Sequence, residues 1–249
     1  MKVKVLQLNI WMGGFYDPLM SFLKEWNNEV DIFCLQEVLD DGDPFASLPG
    51  GYDVRRKTLY RDLQKLFSDY TPFFSEMHDR FGIAMFVNKR FSVLEEKKVI
   101  IVDGINDEDN EFKGRPLHAV KILNEEGTGW VAHCHGFWLS GSKDDTPIRQ
   151  QQSMRILNAF NGIREPIILC GDFNLNPHTK SIALLEGRFM NLIKEYNITN
   201  TRGSFGGTKG SYADYIFVSK EVYVHEFSVL QEQVSDHLAL LLSCSMKEL

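Results

Sequence analysis

The sequence predicts an α/β fold, a four-layer sandwich of two packed mixed β-sheets flanked by helices. Three observations carry that expectation. Short apolar runs of strand character recur along the whole chain, they fall into two groups each accompanied by stretches of helical spacing, and no composition break or repeat separates the groups. Residues 1–249 are therefore expected to form one domain, a length that large α/β folds reach as a single unit. A chain of this size hides roughly 70–75% of the surface its unfolded form exposes, enough for a two-sheet core.

Each element follows in order. Val3 to Ile10 alternates as a half-buried strand, and Pro18 opens an amphipathic stretch with Leu19, Phe22, Leu23 and Trp26 on one face. Val30 to Val38 is a nearly continuous apolar run, as expected of a strand covered on both faces, with Glu37 emerging at its end. A Gly/Pro/Asp-rich loop spans 40–51, and Leu63, Leu66, Phe67 and Tyr70 then fall at helical spacing. GIAMFV, VLEEKKVIIVDGI, LHAVKIL and GWVAHCHGFW read as successive strands. Met154, Leu157, Phe160 and Ile163 mark a helix, Pro166 to Cys170 a buried strand, and Ile182 to Leu185 a short helix. YADYIFVS, YVHEFSVL and HLALLLSC supply the last strands.

The formal net charge of −7 gives no global attraction to nucleic acid or to an anionic membrane, so any such contact must be local. Cys34, Cys134, Cys170 and Cys244 are widely spaced with no CxxC pair, and they read as buried reduced thiols. The start, MKVKVLQLNIW, lacks an apolar h-region and reads as a strand, and no run reaches the length of a membrane span. A cytoplasmic, monomeric protein with no membrane association is the expectation.

Four polar clusters sit at the ends of apolar runs: Asn9 in VLQLNIW, Glu37 in IFCLQEV, Asp172 and Asn174 in IILCGDFN, and Asp236 with His237 in VSDHLALLL. Hydrolysis of a phosphate ester needs a cation, an activated water and donors around the phosphoryl oxygens. Glu37 is a hard oxygen ligand suited to Mg²⁺ or Mn²⁺, with Asn9 and Asp236 as supports. Asp172 and Asn174, two residues apart, point to one side of an extended segment, so one can activate water while the other holds phosphate. A protonated His237 can stabilise developing charge, and Asp214 is the candidate to accept from its second ring nitrogen. A lone acid at a strand end is more often a turn residue, but independent turns have no reason to supply this complementary set.

On these residues the chain resembles the endonuclease/exonuclease/phosphatase superfamily, which includes deoxyribonuclease I, abasic-site endonucleases, inositol polyphosphate phosphatases and a tyrosyl-DNA phosphodiesterase. LNIW supplies the family's early Asn as Asn9, LQEV its metal-binding Glu as Glu37, and AHCHGFW its middle His as His135. GDFN supplies Asp172 and Asn174, ADYIFVS supplies Asp214, and SDH supplies Asp236 and His237. The resemblance implies a deoxyribonuclease I-like four-layer sandwich that binds Mg²⁺ chiefly through Glu37. It further implies that Asp172 handles the water while Asn174, His135 and His237 hold the phosphate. His133 stands where the family often has Asn, and is either a site residue or a strand histidine bonded internally. No match to the catalytic Tyr region of the abasic-site enzymes is present.

Substrate choice is expected to reside in the loops. KDDTPIRQ is similar to small bacterial members and offers Arg149, either near phosphate or as a solvated helix-start arginine. Trp138 follows His135, and the Gly-rich segment 202–212 carries Arg202, Phe205, Lys209 and Tyr212, suited to a nucleotide or single strand or else an ordinary mobile loop. The basic segment Arg55-Arg56-Lys57 with Arg61 is a further candidate for substrate choice, or else a solvated face. The expected function is a divalent-metal-dependent phosphodiesterase acting on nucleic acid or a nucleic-acid-linked adduct. Phosphoinositide or sugar-phosphate hydrolysis is the enzymatic alternative, and a non-catalytic binding module of the same fold the alternative of another class.

Overall fold

The computed structural model describes residues 1–42, 56–107, 110–112, 114–206 and 210–247. Strand β1 (Lys2–Asn9) is followed by helix α1 (Tyr16–Trp26), β2 (Ile32–Leu39), α2 (Leu59–Leu66), β3 (Tyr70–His78) and β4 (Phe81–Asn88). Then come β5 (Ser92–Val102), the three-residue strands β6 (Ile105–Asp107) and β7 (Asn110–Phe112), β8 (Arg115–Asn124) and β9 (Gly127–His135). Helix α3 (Pro147–Ala159) leads to β10 (Ile167–Asp172), α4 (Lys180–Glu186), β11 (Met190–Asn191) and α5 (Leu192–Glu195). The chain closes with β12 (Asp214–Val218), β13 (Val222–Val229) and β14 (Leu240–Met246).

Two mixed sheets result: an eight-stranded one ordered β13-β14-β1-β2-β4-β3-β7-β6 and a six-stranded one ordered β11-β12-β10-β9-β8-β5. Each contains one parallel pair, β1/β2 and β9/β10, joined through a crossover helix, with antiparallel strands on both sides. Alternation decides the layers. In β1, Val3 and Val5 join the core shared with the second sheet, whereas Leu6 and Leu8 pack outward on Leu19, Phe22 and Leu23 of α1 and Leu63 of α2. On the far side, Ile156 of α3, Ile182 and Leu185 of α4 and Ile193 of α5 cover the second sheet. The expected four-layer sandwich of two mixed sheets flanked by helices is the observed one.

Some local expectations differ. Tyr70 is not the end of a helix but the first residue of β3, a strand the pattern hid because Tyr70–His78 carries Pro72 and is only partly buried. Pro72 is tolerated there because, among the described residues, β3 pairs β7 only at His78 and its outer edge is otherwise unpaired. In α3 the inward face is polar, Arg149, Gln152 and Ser153 with Ile156, while Met154 is 45% exposed. No described helix is long and apolar enough to cross a membrane, and all four cysteines are free and buried.

Candidate phosphoesterase site

Both parallel pairs end at the same rim of the sandwich. Asn9 is the last residue of β1, Glu37 lies near the end of β2, and His135 and Asp172 close β9 and β10 in register with each other. Asp214 opens β12 directly opposite Asp172, and His237 precedes β14, whose Leu240 pairs with Gln7 of β1. Antiparallel neighbours of a parallel pair begin where that pair ends, so residues scattered along the chain meet.

Two backbone devices aim the side chains. Strict alternation from the inward Cys34 and Gln36 would turn Glu37 outward, but the β2/β4 register breaks between Gln36 and Val38 and Glu37 takes φ +59°. This bulge swings the carboxylate back to the rim. In GDFN, Gly171 has φ +141° and an added Cβ would lie 2.1 Å from the Cys134 carbonyl oxygen, so only glycine fits; Asn174 has φ +53°. Left-handed non-glycine residues cost about 1–3 kcal/mol each and persist where surrounding contacts hold them. For Asn174 those contacts are its backbone N–H to Asp172 Oδ1 at 2.9 Å and its amide to the Gly136 carbonyl at 3.4 Å.

The side chains converge on Asp172. Asn9 Nδ2 donates to Glu37 Oε1 at 3.0 Å and to Asp172 Oδ2 at 3.1 Å, and Asn9 Oδ1 accepts from Trp11 N. His135 Nε2 and His237 Nε2 each lie 3.6 Å from Asp172 Oδ2, and His135 Nε2 is 3.9 Å from Glu37 Oε1. His237 Nδ1 donates to Asp214 Oδ2 at 2.7 Å, and Asp214 Oδ1 accepts from Gln7 Nε2 at 2.9 Å. Asp236 Oδ1 is 3.8 Å from His237 Nε2. All eight residues expected for chemistry or metal binding, Asn9, Glu37, His135, Asp172, Asn174, Asp214, Asp236 and His237, thus lie at one rim.

The electrostatics of the rim divide its groups. Burial, then the Asp236 charge, pushes the Glu37 carboxyl up against the opposing pull of the Asn9 amide. Burial also raises Asp172, with His237 working the other way. Burial opposes the His237 imidazolium, but Asp214 and Asp172 outweigh it and hold the ring above its ordinary value. His135 is driven well below, by burial and by Arg115 and His237. Burial is the largest cause for both carboxylates, and a hard divalent cation on oxygen ligands would favour their ionised forms. Asp172, Asp214 and His237 offer ligand atoms within 4.8 Å of one another. With His237 Nδ1 committed to Asp214, Glu37 with Asn9 and Asp236 could offer an oxygen set to a divalent ion.

A model of the endonuclease/exonuclease/phosphatase family matches residues 6–237. The chain belongs to that family. No curated protein matches it significantly in sequence. Among solved structures, the human nocturnin catalytic domain with bound sulfate is 21% identical, with 99% of this chain and 94% of that one covered and a TM-score of 0.73. A mannosyl-6-phosphatase of Bacteroides thetaiotaomicron is 15% identical over 98% of this chain and 100% of its own, TM-score 0.73. D. rerio TDP2 complexed with a single-strand DNA product is 15% identical over 98% and 99%, TM-score 0.70. At these identities the likeness shows the fold.

The loops of this family member divide. Arg149 does not reach the rim: it is fully buried, and its guanidinium donates to the carbonyls of Phe137 at 3.3 Å, Asp144 at 2.6 Å and Ser142 at 2.8 Å. It ties the 137–144 loop to α3 and is neither solvated nor open to phosphate. Trp138 is 58% exposed on that loop. Phe205, 54% exposed, packs at 4.5 Å on Phe15, which packs at 5.6 Å on Trp11, so an aromatic ladder runs outward from beside Asn9. Tyr212 is half-buried and its carbonyl accepts from Lys143 Nζ. Lys209 and Arg55 lie outside the described residues. Arg56 pairs with Asp62 and Arg61 with Asp41, so those charges are spent within the fold. His133 is buried one step behind the rim, where Gln36 Nε2 meets its Nδ1 at 3.3 Å.

Two cations near the site, Arg115 and Lys143, carried no such expectation, and a third, Arg202, was expected only as part of the Gly-rich segment 202–212. Arg115 opens β8, donates to the His135 carbonyl at 3.3 Å, feels Asp172 and Glu37, and is pushed down by burial to about 10. Lys143 is lowered by burial, against the pull of Asp172. Arg202 pairs with Asp236 at 2.7 Å and contacts His237. The signal for Arg115 was its place at the start of a strand antiparallel to the one ending at His135; Lys143 had none beyond proximity to the HGFW loop.

Proposed function

We propose that residues 1–249 form one catalytic domain, a Mg²⁺- or Mn²⁺-dependent phosphodiesterase that hydrolyses nucleic acid or a nucleic-acid-linked adduct. One observation carries the reading: Asp172 stands at 3.6 Å from both His135 and His237 while Asn9 joins it to Glu37. This supports a reading in which Asp172 is the base, His135 and His237 face the phosphate and Glu37 binds the cation. The ion, held chiefly by Glu37 with Asn9 or Asp236 assisting, would neutralise phosphate charge when bound.

The chain's own groups do the rest. Asp172 orients the attacking water and takes its proton as the new P–O bond forms opposite the departing oxygen. His237, held as the imidazolium by Asp214, donates to a phosphoryl oxygen where negative charge grows, while neutral His135 and the Asn174 amide fix the phosphate. Phe205, at the open end of the ladder through Phe15 to Trp11, supplies a stacking face beside this point, with Trp138 and Tyr212 as further aromatic contacts; this favours a base-bearing strand. The TDP2 structure with single-strand DNA product is consistent with it. Free buried cysteines suit a reducing, cytosolic setting.

A second reading has an observation of its own. A cavity of ≈ 530 Å³ beside Arg202 is lined by Asn200, Ser204, Ser211, Gln231 and Gln233, a set suited to the hydroxyls of a sugar phosphate. The deciding experiment is Mg²⁺-dependent hydrolysis by wild type and His237→Ala over single- and double-stranded DNA, RNA, 5′-tyrosyl DNA, inositol phosphates and a hexose 6-phosphate. Mutation-sensitive cleavage of a strand supports the first reading, and turnover confined to the hexose phosphate supports the second. Full activity of His237→Ala would overturn the site.

A further inference from the structure

Arg202 is placed by the same hydrogen bonds that place the site. Leu238 N donates to the Thr201 carbonyl at 3.0 Å and Gly203 N to the Asp236 carbonyl at 2.9 Å, which sets Arg202 opposite His237 as an antiparallel bridge. Thr201 Oγ1 in turn accepts from the backbone N–H groups of Ala213 at 3.1 Å and Asp214 at 3.2 Å. The backbone at Arg202, its imidazole neighbour and the carboxylate that orients that imidazole are therefore one construction.

Its side chain is 8% exposed. Nη2 donates to Asp236 Oδ2 at 2.7 Å, Nη1 contacts His237 Nε2, and Nε is buried with no acceptor. A buried donor left unmet is costly, so this guanidinium is short of acceptors. Nη1 and His237 Nε2 sit side by side at the rim, and Nε2 lies 3.6 Å from Asp172 Oδ2. Among the described residues, Asp236 is the one carboxylate that the five N–H donors of the guanidinium meet, which leaves donors for a second oxyanion. A tetrahedral phosphate oxygen entering beside Nε2 meets them, because a guanidinium presents parallel N–H donors to oxyanions.

We infer that Arg202 is a catalytic residue that, together with His237, binds a non-bridging oxygen of the scissile phosphate, its Nη1 passing from the imidazole to the substrate. This rests on the phosphodiesterase reading of the same rim. Asp236 keeps the guanidinium in place throughout, so the donor is preorganised before charge develops on the phosphoryl oxygens.

The test uses the full chain with Mg²⁺. Arg202→Ala is expected to lower kcat by about 10²–10³, Arg202→Lys to recover part of that, and added guanidinium at non-denaturing concentration to restore Arg202→Ala at least about tenfold. In parallel, excess inorganic phosphate is expected to raise the melting temperature of wild type and not that of Arg202→Ala. Arg202→Ala that melts lower yet keeps kcat within about threefold, with no guanidinium effect, would make the residue a structural partner of Asp236 and overturn the inference. An undiminished phosphate shift in the variant does the same. Should wild type hydrolyse none of the substrates, the phosphodiesterase reading falls on its own, and the phosphate shift alone decides Arg202. If Arg202→Ala fails to fold, Arg202→Lys and Arg202→Gln carry the comparison.

Discussion

Replacing Asp214 by Asn keeps the shape of the site and removes one charge. The carboxylate is fully buried between two donors, His237 Nδ1 at 2.7 Å and Gln7 Nε2 at 2.9 Å. An amide cannot accept from both. If its NH₂ turns to Gln7, two donors meet, and a flip of Gln7 only moves the conflict, because Gln7 Nε2 also donates to Gln36 Oε1 at 2.8 Å and Gln36 Nε2 to the Cys34 carbonyl at 3.2 Å. If its NH₂ turns to His237, Nδ1 must be an acceptor and the ring cannot carry both protons. In either arrangement the imidazolium loses its support. Asp214 is the largest influence raising His237 against burial, and an adjacent opposite charge typically moves a pKa by about 1–3 units. Positioned proton donation contributes about 10²–10⁴-fold, so kcat/KM at neutral pH is expected to fall by that factor in Asp214→Asn. The sign in pH follows. A raised His237 keeps its proton past the ordinary imidazole range and loses it as pH rises through the raised value, so the alkaline limb of wild type lies high and that of the variant moves to lower pH. Initial rates across a pH series read both effects. Activity within about threefold of wild type with an unmoved alkaline limb would refute the proposed role of the Asp214–His237 pair.

Mg²⁺ at about 100 times its Kd is expected to stabilise wild type by about 2.7 kcal/mol and Glu37→Gln far less, read as the melting shift with and without EDTA. Gly171→Ala forces a Cβ to within 2.1 Å of the Cys134 carbonyl at φ +141°, and a loss of about 3 kcal/mol or more in denaturant titration is expected. Arg149→Ala removes the donor to three part-buried carbonyls, and a loss of about 1–3 kcal/mol is expected without loss of phosphate-induced stabilisation. His118 is pushed down to about 4 by burial and by Lys98, outweighing Glu96. The unfolded chain therefore takes up this proton first, and up to about 3 kcal/mol of stability present above pH ~6.5 is lost as pH falls toward 4. His118→Phe is expected to flatten that slope.

What the sequence made legible was position along strands. Asn9, Glu37, Asp172 and His237 interrupt or terminate apolar runs, and a polar group there must leave the core at a sheet rim. The sandwich followed from the same alternation, which sorts Val3 and Val5 from Leu6 and Leu8. Illegible were features whose meaning depends on a distant partner. Arg149 looks like a solvated helix-start arginine until the carbonyls of the 137–144 loop fold over it. Arg202 looks like one cation in a Gly-rich loop until the backbone bridge to His237 forms. The β3 strand was hidden by Pro72, and α5, of four residues, is too short to show a period.

The Glu37 bulge links these two kinds of information. Inward alternation along β2 brings Gln36 into a buried line, Gln7 to Gln36 to His133, that fills the space between the sheets behind the rim. Glu37 would then face the helices, where an ionised carboxylate has no partner and burial costs several kcal/mol. One left-handed residue, at about 1–3 kcal/mol, turns it to Asn9 instead. Burial, then the Asp236 charge, still pushes the Glu37 carboxyl up against the Asn9 amide. The carboxylates Glu37, Asp172, Asp214 and Asp236 share the rim with Arg115, Lys143 and Arg202, and a divalent ion bound there, as the proposed function requires, would favour the ionised form of Glu37.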